Sequence, residues 1–229
     1  MGYTKTIVCL ANSWKPGGRC VAGREQTPDG LGAWIRPVSD RASREISDYE
    51  RRVERGGFTD VLDVVEIEFI RPIPLRHQSE NHLIDRSQAW KRSHRITWTE
   101  VSSMVEALAS PLWLNGFSSY HGSNDRIPEN FLVNYNNSLM LIKPKGLRIR
   151  VQDETRYERP NEREVRAIFS AGGYTYQLAV TDPDVKAEFL GMPDGLYNVD
   201  SAALCVSLTE AFHGFAYKLV ATIFTPDRR

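Results

Sequence analysis

Residues 10–23 read Leu10-Ala11-Asn12-Ser13-Trp14-Lys15-Pro16-Gly17-Gly18-Arg19-Cys20-Val21-Ala22-Gly23, and Ala33-Trp34-Ile35-Arg36-Pro37-Val38-Ser39 follows shortly after. The apolar run from Ile7 to Leu10 predicts a strand that enters a loop carrying Asn12, Ser13, Lys15 and Arg19. Gly17-Gly18 supply the backbone freedom for a tight reversal. A second strand returns over 19–24, and a third over 33–38 presents Trp34 and Arg36. Alternate residues of a strand share a face, so Trp34 and Arg36 are expected side by side. A π-surface and a guanidinium next to amide, hydroxyl and ammonium groups suit a base plus a phosphate. In this reading Lys15, Arg19 and Arg36 hold phosphate, Trp34 stacks, and Asn12 and Ser13 orient the ligand. The competing reading of the same residues is structural: Trp34 in the core, Arg36 snorkelling from it, and an ordinary hairpin turn.

The rest of the chain supports a mainly β protein. Residues 61–70 alternate apolar and acidic side chains from Val65 to Phe69, as a half-buried strand does, and Pro72 and Pro74 end it. The charged stretch 43–55 predicts a solvated helix, with Ser47 as cap and Glu50 three residues on. A second helix is predicted over 97–108, capped by Thr99 or Ser102, with Val101, Met104, Val105 and Leu108 as its apolar stripe. Further strands are expected at 139–142 and 147–151. Two more flank Ala171-Gly172-Gly173, and another pair is expected at 204–208 and 217–224. Short strands at this spacing predict small barrels. The expected organisation is a barrel over 1–75, a mixed helix and loop connector over 76–135, and a second barrel over 136–229.

Composition narrows the function. The chain has 229 residues, and its 29 basic and 29 acidic side chains cancel, which excludes a bulk polyelectrolyte binder but leaves room for a local basic groove. No apolar run approaches the roughly 20 residues needed to span a membrane. The first residues lack a signal-peptide pattern. Three cysteines without a CxxC pair fit a reducing cytoplasm. No cofactor motif is present. His77 and His82 are five apart with Glu80 between, a spacing that does not align metal ligands on one helix face. Residues 77–82 therefore read as a ligand-contacting loop carrying His77, Glu80 and Asn81. Trp90, among Arg86, Lys91, Arg92 and Arg95, reads as a second aromatic with basic neighbours, or else as an edge tryptophan pinned to the core by its indole ring. There is no GxSxG elbow and no Walker loop, and Cys20 reads as a packed thiol. No catalytic residue is assigned.

LANSWKPGGRCVAG at 10–23, WIRPVSD at 34–40, HQSEN at 77–81 and LCVSLTEAFHGFAYKLVATIF at 204–224 resemble the bacterial dual OB domain-containing proteins. The resemblance implies two oligonucleotide/oligosaccharide-binding barrels in one chain. Such barrels bind single-stranded nucleic acid or sugars across one sheet face and its loops. The expected partner is single-stranded nucleic acid or a nucleotide, in an accessory or sensor role in bacterial nucleic-acid defence. A protein partner on the same surfaces is a further option. The alternative is a small-molecule or nucleotide-processing enzyme with a pocket between the barrels, and with the 77–82 loop and Asp40 as acid–base groups.

Overall fold

In the computed structural model, which describes residues 2–154 and 162–228, the chain forms two units. The first takes the residues up to Met104 together with Asn136–Ser138, and the second takes Val105–Tyr135 and Leu139–Arg228. The segment 76–135, expected as a connector, is thus divided: residues 76–104 complete the first unit and 105–135 open the second. Its strands bury side chains in both cores, and a linker would not.

The first unit contains β1 (Tyr3–Lys15), β2 (Gly18–Thr27), β3 (Gly30–Val38), β4 (Asp63–Pro72), β5 (Asn81–Ile84) and β6 (Lys91–Arg95). β1 pairs with β2, β2 with β3, β3 runs parallel to β5, β5 pairs with β4, and β4 returns to β1. That circuit closes a five-stranded ring of the small-barrel kind. β1 serves two partners because it bends. Tyr3 to Val8 face β4, and a bulge between Cys9 and Ala11 carries the strand on along β2. Gly23 sits opposite the bend, where an added Cβ would lie 2.1 Å from the Val8 carbonyl oxygen. Gly23→Ala is expected to cost about 1–3 kcal/mol in urea unfolding, the usual range for forcing atoms into a packed site. The ring is filled by Ile7, Cys9, Val21, Ile35, Val65, Ile67 and Phe69. β6 is added outside the ring, on β4.

Two expectations change here. Trp90 is a core residue, 1 % exposed, and its ring is not available to a ligand. Residues 43–55 form turns and isolated bridges rather than a helix. Ile46 and Val53 are drawn into the core, and Arg51 donates to the Asp48 carboxylate and the Thr59 carbonyl, so tertiary contacts override local propensity. Ser47 and Glu50 still form the reciprocal capping bonds, on one isolated turn. The later helix is shorter than expected, α1 (Trp98–Ser103), and its cap is Thr97 with Glu100 completing the box.

The second unit contains β7 (Arg126–Pro128), β8 (Leu139–Ile142), β9 (Lys145–Asp153), β10 (Arg163–Ala171), β11 (Tyr174–Val180), α2 (Pro183–Leu190), β12 (Gly195–Asn198), β13 (Ala203–Leu208) and β14 (Phe215–Phe224). Pairing runs β9–β10–β11, crosses to β14 in parallel, and continues to β13 and β8. β8 and β9, separated by Lys143 and Pro144, stand where the single bent β1 stands in the first unit. Both units therefore follow the same strand circuit, and in both the third and last ring strands are parallel. The core of this unit includes Leu112, Ile127, Ile149, Phe169, Tyr176, Leu178 and Val220. Among the described residues no helix is long and apolar enough to cross a membrane.

Candidate functional site

The β1–β2 hairpin carries the first part of the site. Gly17 adopts φ 86°, and Gly18 lies where a Cβ would sit 2.5 Å from the Ile46 carbonyl oxygen. That close approach lets Arg19 and Ile46 exchange two backbone hydrogen bonds of 2.8 Å, which pin the hairpin tip to the 45–46 segment. Glu45 packs beside Gly17. Burial pulls its carboxyl upward, but the Ser43 hydroxyl and the charges of Arg41 and Lys15 hold it below the usual carboxylate range. Trp14 stands directly opposite Arg19 across the hairpin and is 60 % exposed. Arg19 is partly exposed and makes no ion pair among the described residues, and its Nη1, turned inward, has no hydrogen-bond partner there. A second aromatic–guanidinium pair lies further along the same ribbon. Arg24 is paired with Trp34, its guanidinium 5.8 Å from the ring centroid and its Nε donating to Gly32 at 2.8 Å.

Arg36 is not beside Trp34 on an open face, as the alternation suggested; it is 6 % exposed. Its Nη2 donates to the Ser138 hydroxyl at 2.8 Å and lies 3.4 Å from Glu80, and its Nη1 approaches the Cys20 sulfur at 3.4 Å. Ser138 in turn donates to Glu80. The loop between β4 and β5 folds inward to make this network. Leu75 and Gln78 close a turn, and Asn81 donates to Gln78 at 3.3 Å. His77, Glu80 and Asn81 are all buried. Asn12 is buried too, its amide donating to Asp60 at 3.1 Å, and Ser13 is buried opposite Cys20. The sequence-predicted residues therefore separate into two groups. Lys15, Arg19 and Trp34 remain at least partly accessible, whereas Asn12, Ser13, Arg36, His77, Glu80, Asn81 and Trp90 are interior. Asp40 is exposed, 3.8 Å from Arg86.

β6 supplies a feature that the sequence reading approached from the wrong side. All five of its residues are exposed, and Lys91, Arg92, His94 and Arg95 line a groove of about 630 Å³ with Arg55, Glu54 and Glu66. Lys91 pairs with Glu66 at 2.8 Å, and Arg92 and Arg95 share the buried Asp63 at 3.4 and 3.5 Å. Arg55 has no ion-pair partner among the described residues. The cations near Trp90 are the accessible groups, and the tryptophan is their inner anchor. No group of three or more metal-ligating side chains occurs among the described residues.

Sequence reasoning passed over Trp14 as a contact residue. Its signal was present: a large ring at a Lys-Pro-Gly-Gly turn has no sheet beyond it to pack on. Lys218 was also passed over. It is fully buried, and its Nζ donates to the Leu114 carbonyl at 2.6 Å and to Asn115 at 2.8 Å. Burial pushes its pKa down to about 7.

The family model described as a dual OB-containing domain matches residues 5–223. No curated protein and no solved structure matches the chain.

Proposed function

The chain belongs to the dual OB-containing domain family, and from that premise we propose that it binds single-stranded nucleic acid through the β1–β2 hairpin tip of its first unit. Barrels of this kind take oligonucleotides on the loop between their first two strands and on the face of the second and third. The observation that carries the reading is Trp14, 60 % exposed and directly opposite the unpaired Arg19. A ring exposed to that degree gains by stacking on a base, and the neighbouring guanidinium meets the phosphate. Arg24 with Trp34 extends the same chemistry, and the β6 groove offers further cations to a backbone. Because the net charge is zero, attraction is local and the affinity depends on salt. An accessory or sensor role in bacterial nucleic-acid defence is the setting we attach to this binding.

Fluorescence anisotropy with labelled single-stranded DNA and RNA, at low and physiological salt, tests the reading. Trp14→Ala is expected to weaken binding about tenfold, within the roughly 1–3 kcal/mol measured for stacking one base. Arg19→Ala and Arg55→Ala each reduce the slope of log affinity against log salt, by roughly 0.7 for every phosphate that is no longer neutralised. Arg55 is exposed and Arg19 partly exposed, and among the described residues neither makes an ion pair, so circular dichroism is expected to show both variants folded. Absence of binding at low salt, or binding unchanged in Trp14→Ala, overturns the proposal.

A further inference from the structure

Two large exposed aromatic rings of the second unit, Tyr120 at 95 % and Phe212 at 65 %, line one cleft of about 600 Å³. His121, Asp125, Arg166 and Tyr217 complete its polar and aromatic lining. It lies against β10, β11 and β14 on the side opposite the core, since Arg166 and Ala179 alternate with the core residues Val165, Ala167, Leu178 and Val180. A cleft of this size fits a small organic ring system.

Neither ring is on a loose loop. Asp125 accepts from the Ser119 amide at 2.7 Å and from the Ser119 hydroxyl, and a Cβ at Gly122 would collide with its carboxylate. Ser123 and Gln177 exchange backbone bonds of 3.1 and 3.0 Å, and the Gln177 amide donates to the His121 carbonyl. The turn that ends in Tyr120–His121 is thereby fastened to β11. Phe212 and Phe215 close their own turn with bonds of 2.8 and 3.2 Å, and His213 and Gly214 take left-handed backbone angles to make it. Holding two large rings in water on ordered turns is unfavourable for a free monomer, and it preorganises them for a ligand.

The charges say which ligand. Of the lining arginine and lysine, Arg166 is held by two bonds to Glu154, and Lys218 is buried with its Nζ donating to the Leu114 carbonyl and to Asn115; the Asp125 carboxylate is occupied by Ser119. Among the described residues the cleft therefore offers no uncompensated guanidinium or ammonium to a phosphate, and its accessible chemistry is stacking with neutral hydrogen bonding. We propose that this cleft takes one unpaired nucleobase as a neutral ring against Tyr120 and Phe212, independently of its phosphate. The choice of a base as the ring rests on the nucleic-acid reading above; the cleft and its neutrality do not.

Isothermal titration with adenosine, cytidine and the matching 5′-monophosphates, on the full chain, tests it. The expected result is nucleoside binding that changes little with salt and gains little from the phosphate. Tyr120→Ala and Phe212→Ala should each weaken it about tenfold. Both side chains are exposed and hold no place in the core, and circular dichroism checks that each variant folds. No nucleoside binding, equal binding in both variants, a strong salt-dependent gain from phosphate, or saturation by a neutral oligosaccharide instead overturns the proposal. Trp14→Ala separates the two sites, because it should lower oligonucleotide affinity and leave nucleoside binding unchanged. Nucleoside binding without any oligonucleotide binding would remove the hairpin reading and keep the cleft.

Discussion

Glu154→Ala is expected to lower the stability of the second unit by about 3–5 kcal/mol, the typical cost of leaving a buried charge without its partner. Glu154 and Arg166 are 1 % and 5 % exposed and meet through two parallel bonds, Nε–Oε1 at 2.5 Å and Nη2–Oε2 at 2.7 Å. Removing the carboxylate leaves a guanidinium that is 5 % exposed without its counter-charge. Exchanging both residues for apolar ones, Glu154→Leu with Arg166→Met, should recover most of the loss, because the desolvation of two ions then disappears with their attraction. Denaturation followed by near-ultraviolet circular dichroism, with Trp113 as the buried tryptophan of this unit, reads both variants. Burial alone would raise the Glu154 pKa. The bond and charge of Arg166, with a contribution from His121, bring it below the ordinary value. Its contribution is therefore present above the ordinary carboxylate range and is lost as pH falls through the depressed value. Equal stability of wild type and Glu154→Ala at neutral pH would refute the argument.

The second large effect is a pH dependence from Lys218. Its native pKa is lowered from 10.5 to about 7, chiefly by burial, with Asp125 opposing. Between pH 7 and 10.5 the unfolded chain holds a proton there that the native protein has released. Stability should then rise with pH across that window, by up to about 5 kcal/mol at roughly 1.4 kcal/mol per unit. The geometry agrees with a neutral amine. Its two N–H groups reach the Leu114 carbonyl and Asn115, and the Asn115 amide donates to the Tyr176 hydroxyl. Lys218→Met should flatten the rise while costing stability at high pH, since Leu114 and Asn115 lose their donor. Tyr176, whose hydroxyl pKa is raised by burial, is present in both proteins and cancels in the comparison. A wild-type curve that falls between pH 7 and 9.5, or one that Lys218→Met leaves unaltered, sinks the prediction.

The sequence revealed the strands better than what covers them. Val65 to Phe69 and the Ala171-Gly172-Gly173 hairpin were legible because alternation and turn chemistry are local. The closure of the first ring was not, because β1 pairs with β4 along one half and runs on along β2 past a bulge that no residue pattern marks. Arg36 shows the limit for the site. Its place on the strand was read correctly, yet its exposure depended on Glu80 and Ser138, 44 and 102 positions away. For Trp90 the ligand-facing reading lost to the core one: its neighbours in sequence are basic, but it bridges to Val53 and belongs to the core cluster that holds Ile7 and Val65. Tyr120 and Phe212 meet at one cleft from segments 92 residues apart, which single-sequence spacing cannot show.

The chain visits the first unit, passes into the second at Val105, returns for Asn136–Ser138, and leaves again. Synthesis on the ribosome is vectorial, so the first ring has all its strands once Arg95 emerges but waits for Ser138 to complete the hydrogen bonding around Arg36 and Glu80. During that interval the nascent barrel holds a buried ion pair short of one hydroxyl. A cut after Met104 would make the interval permanent: the released fragment should form its ring but melt earlier than the same ring in the whole chain.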